Sequence, residues 1–401
     1  MSLNETASGE RLHIGFFGKR NAGKSSLVNA VTNQNMAVVS EVKGTTTDPV
    51  RKAMELLPLG PVVIIDTPGF DDEGELGALR VEKTNEILGR TDIAVLVVDA
   101  AAGAGEAEKE LKDIFKKKSI PYITAYNKSD LLSERKALGE NEIYVSAKTG
   151  ESIKELKELI GAFSGKTKSK KKLVSDLIGL GDTVVLVIPI DASAPKGRLI
   201  LPQQMVIRDA LDCHASVLLC QPEELSETLR GLTKPPRLVI TDSQAFGRVA
   251  RDVPSEVMLT SFSILMARYK GELKTLVRGA MKLSELRDGD RVLISEGCTH
   301  HRQCGDIGTV KLPAWIEKFS GAKPEYSFTS GGGFPQDLSE FKLIIHCGGC
   351  MLNEREMQSR IARAAAAGVP IVNYGTAIAQ MHGILSRSLE PFDRLLYKNN
   401  T

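Results

Sequence analysis

Apolar and amphipathic stretches alternate along residues 11–165. Short apolar runs fall at Leu12–Phe17, Val62–Ile65, Ile93–Val98 and Tyr122–Tyr126. This pattern predicts strands and helices in turn, and so an α/β domain around a largely parallel, buried sheet. A second alternation runs through Val184–Ile190, Ser216–Cys220 and Leu238–Thr241, with Pro202 opening one of the amphipathic stretches between them. The last region holds an Ala-rich helix near Asn353–Ala367, which Gly368 and Pro370 stop. A strand, Ile371–Tyr374, and a final helix follow. The Lys/Ser/Gly run Gly165–Lys172 reads as a solvated linker. The expected organisation is an α/β domain over residues 1–165, a linker over 166–182, and two smaller α/β domains over 183–265 and 266–401.

Composition narrows the classes. Of 401 residues, 42% are hydrophobic and 25% charged, which suits folded cores and excludes a disordered chain. Lys and Arg number 52 against 50 Asp and Glu, so bulk charge gives no reason to expect nucleic acid as a partner. No apolar run approaches the roughly 18–20 residues of a membrane span. The stretch Met1–Glu10 is polar, and the expectation is a cytoplasmic protein. In a reducing compartment six cysteines point to metal or redox work rather than to disulfides. Cys213 and Cys220 are expected to be small buried apolar residues, while Cys298, Cys304, Cys347 and Cys350 gather in the last quarter.

The first candidate chemistry is the stretch Gly18-Lys19-Arg20-Asn21-Ala22-Gly23-Lys24-Ser25, which follows an apolar strand and opens a helix over Ser25–Val31. Gly18 and Gly23 let backbone N–H groups converge on phosphates, and the helix N-terminus adds partial positive charge. Lys24 is expected to reach the β- and γ-phosphates, Ser25 to ligate Mg²⁺, and Ser26 to line the same loop. Asp66-Thr67-Pro68-Gly69 follows the second strand, where Asp66 can hold Mg²⁺ through water and Gly69 can offer its N–H to the γ-phosphate. Asn127-Lys128-Ser129-Asp130 follows another strand. The Asp130 carboxylate can accept both guanine N1–H and N2–H, a pairing adenine cannot supply. Ser146-Ala147-Lys148 then backs the base. Four elements in this order, each at a strand's C-terminal end, predict GTP bound at the crest of a sheet.

These motifs resemble the Era/TrmE branch of the translation-factor-like GTPases. Gly44-Thr45-Thr46-Thr47-Asp48 is similar to that branch's switch I. The resemblance implies that Thr46 ligates Mg²⁺ in the GTP state, with Thr45 beside it, and that switch II covers about 69–78. Phe70 stands where Ras-like enzymes orient water with Gln. Asn21 occupies the position at which potassium-activated members of the branch hold K⁺. The resemblance therefore implies slow hydrolysis stimulated by K⁺, with Lys24, Asn21 and Thr46 in catalytic roles.

A second constellation joins Cys298-Thr299-His300 to His346-Cys347-Gly348-Gly349-Cys350, which follows the run Leu343–Ile345. Three cysteines with histidines fit structural Zn²⁺ or an iron–sulfur cluster, and spacing alone leaves both open. An Era/TrmE-type domain followed by this joint motif closely resembles the FeFe-hydrogenase maturation GTPases, over essentially the whole chain. That resemblance implies a 4Fe–4S cluster on Cys298, Cys347 and Cys350. The fourth position is open among Asp306, His300, His346, Cys304 and water, with Cys304 read as non-ligating. It further implies a homodimer joined by the middle domain, scaffold or carrier work on the diiron precursor of the hydrogenase active site, and three partners: two radical-SAM maturases and apo-hydrogenase. His301 and His382 match no motif, and Trp315 and Phe319 read as core. Two rivals stand beside this reading. One is an RNA- or ribosome-associated regulatory GTPase with a zinc-stabilised C-terminal domain, and the other an iron–sulfur redox protein gated by GTP.

Overall fold

The computed structural model describes residues 8–33, 50–57, 59–69, 84, 86–167, 172–190, 199–297 and 307–392. The chain divides into two compact units, Met1–Ser169 and Lys170–Thr401.

The first unit is built on six strands: β1 Leu12–Phe17, β2 Val50–Leu56, β3 Gly60–Asp66, β4 Ile93–Asp99, β5 Tyr122–Asn127 and β6 Glu142–Tyr144. They lie in the order β2-β3-β1-β4-β5-β6. All neighbours are parallel except β2, which runs antiparallel along β3 from Val50 opposite Asp66 to Leu56 opposite Gly60. Ile64, Ile65 and the β4 residues Ile93–Val98 are buried to 0% exposure. Both faces of these strands are covered, so they read in sequence as unbroken apolar runs. The helices Lys24–Thr32 and Ile153–Thr167 pack with one face, and Glu106–Lys117 with the other, where Phe115 and Leu111 meet Phe17 and Leu96.

The second unit carries two four-stranded parallel sheets. One contains β7 Thr183–Val187, β8 Ser216–Cys220, β9 Leu238–Thr241 and β10 Met258–Ser261 in the order β10-β9-β7-β8. The other contains β11 Arg291–Glu296, β12 Glu325–Ser330, β13 Leu343–His346 and β14 Ile371–Asn373 in the order β12-β11-β13-β14. One continuous hydrophobic core includes Val184 and Ile240 of the first sheet, Leu265 and Leu276 of the helices Phe262–Lys270 and Leu273–Met281, and Ile294 and Ile344 of the second. The regions 183–265 and 266–401 therefore share a core. The expected linker is partly structured as well. A helix continues to Thr167, and Leu173 and Val174 are buried in the core of the second unit. Leu173 and Val174 follow the lysines directly and bury despite them, since apolar area outweighs local charge.

Asn353 starts the helix Glu354–Ala366 as its N-cap, accepting from Glu356 N, and Gly368, a predicted stop, takes φ 69° beyond it. Cys213 and Cys220 are half-buried rather than fully buried, since each lies at the end of an element near the surface. Trp315 and Phe319 pack partly buried against the core, and Trp315 meets the His382 ring edge-on at 5.5 Å.

Candidate functional site

The phosphate loop leaves the end of β1. A Cβ on Gly18 would stand 2.2 Å from Val97 O, and one on Gly23 would stand 2.3 Å from Asn127 Nδ2, with φ at 146° and 86° respectively. Both positions exclude any other residue, by contact and by backbone conformation. Asn21 is exposed at φ 61° on the outer turn. The helix Lys24–Thr32 begins at once, so its first-turn N–H groups face the loop. Lys24 is 8% exposed, and its ammonium donates to Gly18 O at 2.9 Å and Lys19 O at 2.7 Å. Ser26 is half-buried on the same first turn.

Asp66 closes the floor. Its Oδ2 accepts from Ser25 Oγ at 2.6 Å, while Oδ1 is buried with no hydrogen-bond partner. Burial pushes the Asp66 carboxyl above its ordinary range, opposed by the Ser25 hydroxyl and the Lys24 charge. A hydroxyl and an orphaned carboxylate oxygen side by side are hard oxygen donors that fit Mg²⁺. Gly69 lies against the loop, and a Cβ there would be 3.0 Å from Arg20 N. Thr45, Thr46 and Phe70 lie outside the described residues.

The base side is braced by Asn127, which is 2% exposed. Its Nδ2 donates to Ala22 O at 3.0 Å, and its Oδ1 accepts from Ala147 N at 3.0 Å. One amide thus ties the phosphate loop to the base loop. Lys128 takes φ 65° and pairs with Asp99 Oδ2 at 2.6 Å. Asp130 is exposed, and its Oδ1 accepts from the fully buried Ser146 hydroxyl at 2.6 Å, which aims the carboxylate. Lys148 is exposed beyond Ala147. The sequence marked these residues as base readers; it did not mark Asp99, which terminates β4 and has no motif of its own.

The cysteine centre lies at the C-terminal ends of β11 and β13. The next two strands, β12 and β13, flank β11 on opposite sides, so the chain reverses direction across the sheet here. Such switch points open a crevice at the strand ends. Gly297 N donates to Cys347 Sγ at 3.0 Å, and Gly349 N donates to the same sulfur at 3.4 Å. A Cβ at Gly297 would stand 2.7 Å from Leu352 Cγ, so this close approach requires glycine. The chain therefore arrives beside Cys347 one residue before Cys298. Cys298, His300, His301, Cys304 and Asp306 lie outside the described residues. Among the described residues no group of three or more metal-ligating side chains is clustered.

His346 is fully buried, and both its ring nitrogens are engaged. Arg360 Nη1 lies 2.9 Å from Nε2, and Cys347 O lies 2.8 Å from Nδ1. A guanidinium only donates, so Nε2 accepts and the proton sits on Nδ1, donating to the Cys347 carbonyl. Burial, then the Arg360 charge, push His346 down to about 3. Arg360 also donates to Glu356 Oε1 at 2.8 Å and Gly331 O at 2.6 Å. In this arrangement His346 orients the Cys347 backbone and has no nitrogen left for a metal. Glu296, the last residue of β11, accepts from Tyr374 Oη at 3.2 Å. It belongs to no sequence motif and stands two residues before Cys298.

Comparison with known proteins bears on both sites. A family described as 50S ribosome-binding GTPase matches residues 13–128. The hydrogen maturase F dimerization domain matches residues 173–271, and the hydrogen maturase F tetramerization domain matches residues 274–391. The tRNA modification GTPase MnmE of Endomicrobium trichonymphae is 35% identical over 181 residues, 42% of this chain and 40% of that protein. GTPase Der of Kosmotoga olearia is 35% identical over 131 residues, 31% of this chain and 29% of that protein. The chain thus spans less than half the length of these relatives. An Era structure from Aquifex aeolicus aligns at 16% identity over 80% of this chain and 94% of that one, with a TM-score of 0.35, too low to carry an inference. Two successive models of one family fill residues 173–271 and 274–391 behind a GTPase domain, and the chain belongs to the hydrogen maturase F family of GTPases.

Proposed function

We propose that the chain binds GTP with Mg²⁺, hydrolyses it slowly with stimulation by K⁺, and holds a 4Fe–4S cluster as scaffold or carrier for the diiron precursor of an FeFe-hydrogenase. Two radical-SAM maturases and the apo-hydrogenase are the partners in this reading, and the hydrogen maturase F dimerization and tetramerization matches support self-association. No described helix is long and apolar enough to cross a membrane.

The GTP half is supported by the cradle. Lys24 leaves the Gly18 and Lys19 carbonyls for the phosphates, Ser25 and Asp66 hold Mg²⁺, and Asp130 reads guanine. Asn21, exposed on the outer turn, is the residue this proposal assigns to K⁺, with Lys24 and Thr46 in the other catalytic roles. Hydrolysis rates measured in KCl and NaCl test this, and equal rates remove the K⁺ role.

The cluster half is carried by one observation: Gly297 N–H meets Cys347 Sγ at 3.0 Å, so the residue before Cys298 lies beside Cys347, which supports one centre shared by the two cysteine motifs. The soft donors Cys298, Cys347 and Cys350 fit iron and sulfide, and amide N–H donors on a sulfur favour its thiolate. Bound there, a cluster with three thiolates supplies one iron whose fourth position can be exchanged. Asp306 and His300 are the candidates for the position. Anaerobic reconstitution of wild type, C298A and D306N tests the reading by iron content and EPR. About four irons per chain, lost in C298A, support a cluster. An altered EPR signal at unchanged iron content in D306N assigns the carboxylate. Tightly held zinc with no uptake of iron overturns the reading.

A further inference from the structure

The helix Phe262–Lys270 ends on a lysine that is 1% exposed. Lysine is almost never buried this far without a specific set of partners. Here its ammonium points into the cysteine turn, toward Leu352 O at 2.9 Å, Cys350 O at 3.2 Å and Gly349 O at 3.5 Å. An ammonium has three donors and no acceptor, so three carbonyls converging on it fix three peptide planes at once. The main chain of Lys270 is held by the same segment. Gln358 Nε2, in the helix that follows the turn, donates to Lys270 O at 3.0 Å and Gly271 O at 2.9 Å. The residue is therefore gripped at both ends by residues 349–358.

The other half of the turn is set separately. Gly297 and Gly349 direct N–H groups at Cys347 Sγ, and His346 holds Cys347 O. Nothing in that set reaches the peptide of Cys350; the Lys270 ammonium does. We propose that Lys270 is a positioning residue for the cysteine centre, fixing the Cys350 peptide so that the sulfurs of Cys347 and Cys350 face one bound group. This rests on the reading of the turn as a metal or cluster site. It also ties the last helix of the dimerization-domain match directly to that site.

The test uses the full chain and a simple probe, Co²⁺ added anaerobically to the metal-free protein and read by its thiolate charge-transfer band. K270M removes the donors at similar side-chain length, and K270R keeps the charge on a wider, planar head. Outer partners of metal ligands typically contribute about 10–100-fold to affinity. K270M is expected to bind Co²⁺ weaker by that factor while still melting cooperatively, though lower because three carbonyls lose their donor, and K270R to recover part of the loss. Wild-type affinity in K270M, with wild-type EPR after iron–sulfide reconstitution, overturns the positioning role. Should K270M fail to fold, Q358L is read in its place, because it frees the main chain of Lys270 and leaves the ammonium. Weakened Co²⁺ binding at an unchanged melt then supports the proposal, and unchanged binding overturns it. Wild-type protein that melts cooperatively but takes up neither Co²⁺ nor iron sinks the cysteine-centre reading itself, and Lys270 with it.

Discussion

The Ser25 hydroxyl donates to Asp66 Oδ2 at 2.6 Å and leaves Oδ1 buried without a hydrogen-bond partner. Function therefore sits on a buried carboxylate whose charge is costly to the fold. Burial raises the Asp66 carboxyl, so its charged form is costly whenever nothing sits on Oδ1. A carboxyl whose folded pKa is raised contributes most below its unfolded value near 3.9, and that contribution is lost as pH rises through the folded value. At neutral pH the ionised Asp66 is a net burden on the nucleotide-free unit.

D66N keeps an acceptor for Ser25 and removes the charge. At pH 7–8, without nucleotide, D66N is expected to raise the melting temperature of the N-terminal transition. The gain is about 2–4 °C per kcal/mol at this domain size. It should shrink as pH falls toward about 4. Mg²⁺-dependent GTP binding should fall sharply in the same variant. Calorimetry across pH, paired with fluorescent-nucleotide titration, checks both; a D66N chain that melts lower than wild type at pH 8 contradicts the account.

Asp130 gives a specificity prediction. Its carboxylate is aimed by Ser146 Oγ at 2.6 Å and accepts two guanine N–H groups in the proposed complex. Hydrogen bonds to a charged partner contribute about 1.5–3 kcal/mol each, so losing two costs roughly 10²–10⁴ in affinity. D130N is expected to lose GTP by that factor and to gain xanthosine triphosphate, whose C2 carbonyl accepts from the new amide. Competition binding with the two nucleotides decides it, and a D130N chain that still prefers GTP removes Asp130 from base recognition.

How much of this was legible depended on where the chemistry lay in the chain. The buried strands β1, β3, β4 and β5 show as apolar runs because both faces are covered, and the GTP motifs sit on their ends. β2 was missed: an edge strand reading Val-Arg-Lys-Ala-Met-Glu-Leu has one covered side and no apolar run. The Lys-rich stretch hid Leu173 and Val174, which bury immediately after it. The cysteines were legible as a motif, whereas their supports were not. Lys270 contacts Cys350 from 80 positions away, and Arg360 reaches His346 across 14. Both are ordinary helix residues in sequence, and only the folded sheet order brings them to the turn.

His346 yields a pH signature for the second unit. It is neutral in the fold, pushed to about 3 by burial and by Arg360, against an ordinary value near 6.5. Between those values the unfolded chain binds a proton that the native chain does not, so stability is present above about 6.5 and falls as pH drops toward 3. The slope for one such group is about 1.4 kcal/mol per pH unit. Urea unfolding of wild type and H346Q from pH 7.5 to 5 reads it directly. H346Q is expected to start less stable, since Arg360 loses an acceptor, and to lack the His346 share of the slope. Parallel slopes in the two proteins contradict a buried neutral His346.

Self-association should run through β8. In its sheet, β10 is covered by the C-terminal helices, where Thr260 Oγ1 donates to Ser388 O at 2.8 Å. The opposite edge, β8, shows Leu218 at 38% and Leu219 at 48% exposure, with Leu211 at 54% nearby in sequence. An edge strand with open backbone groups and apolar side chains on it is a template for pairing with another strand. It lies inside the hydrogen maturase F dimerization match, residues 173–271. A lysine on such an edge opposes pairing by placing charge where apolar contact is needed, and two copies of it face each other across a twofold axis. L219K is therefore expected to shift the chain toward monomer in sedimentation at micromolar concentration while GTP hydrolysis continues at the wild-type rate. Because Leu219 is half exposed within the isolated chain, the change should alter the melt of a dilute, dissociated sample by less than about 0.5 kcal/mol. An L219K protein that stays as associated as wild type moves the interface away from β8.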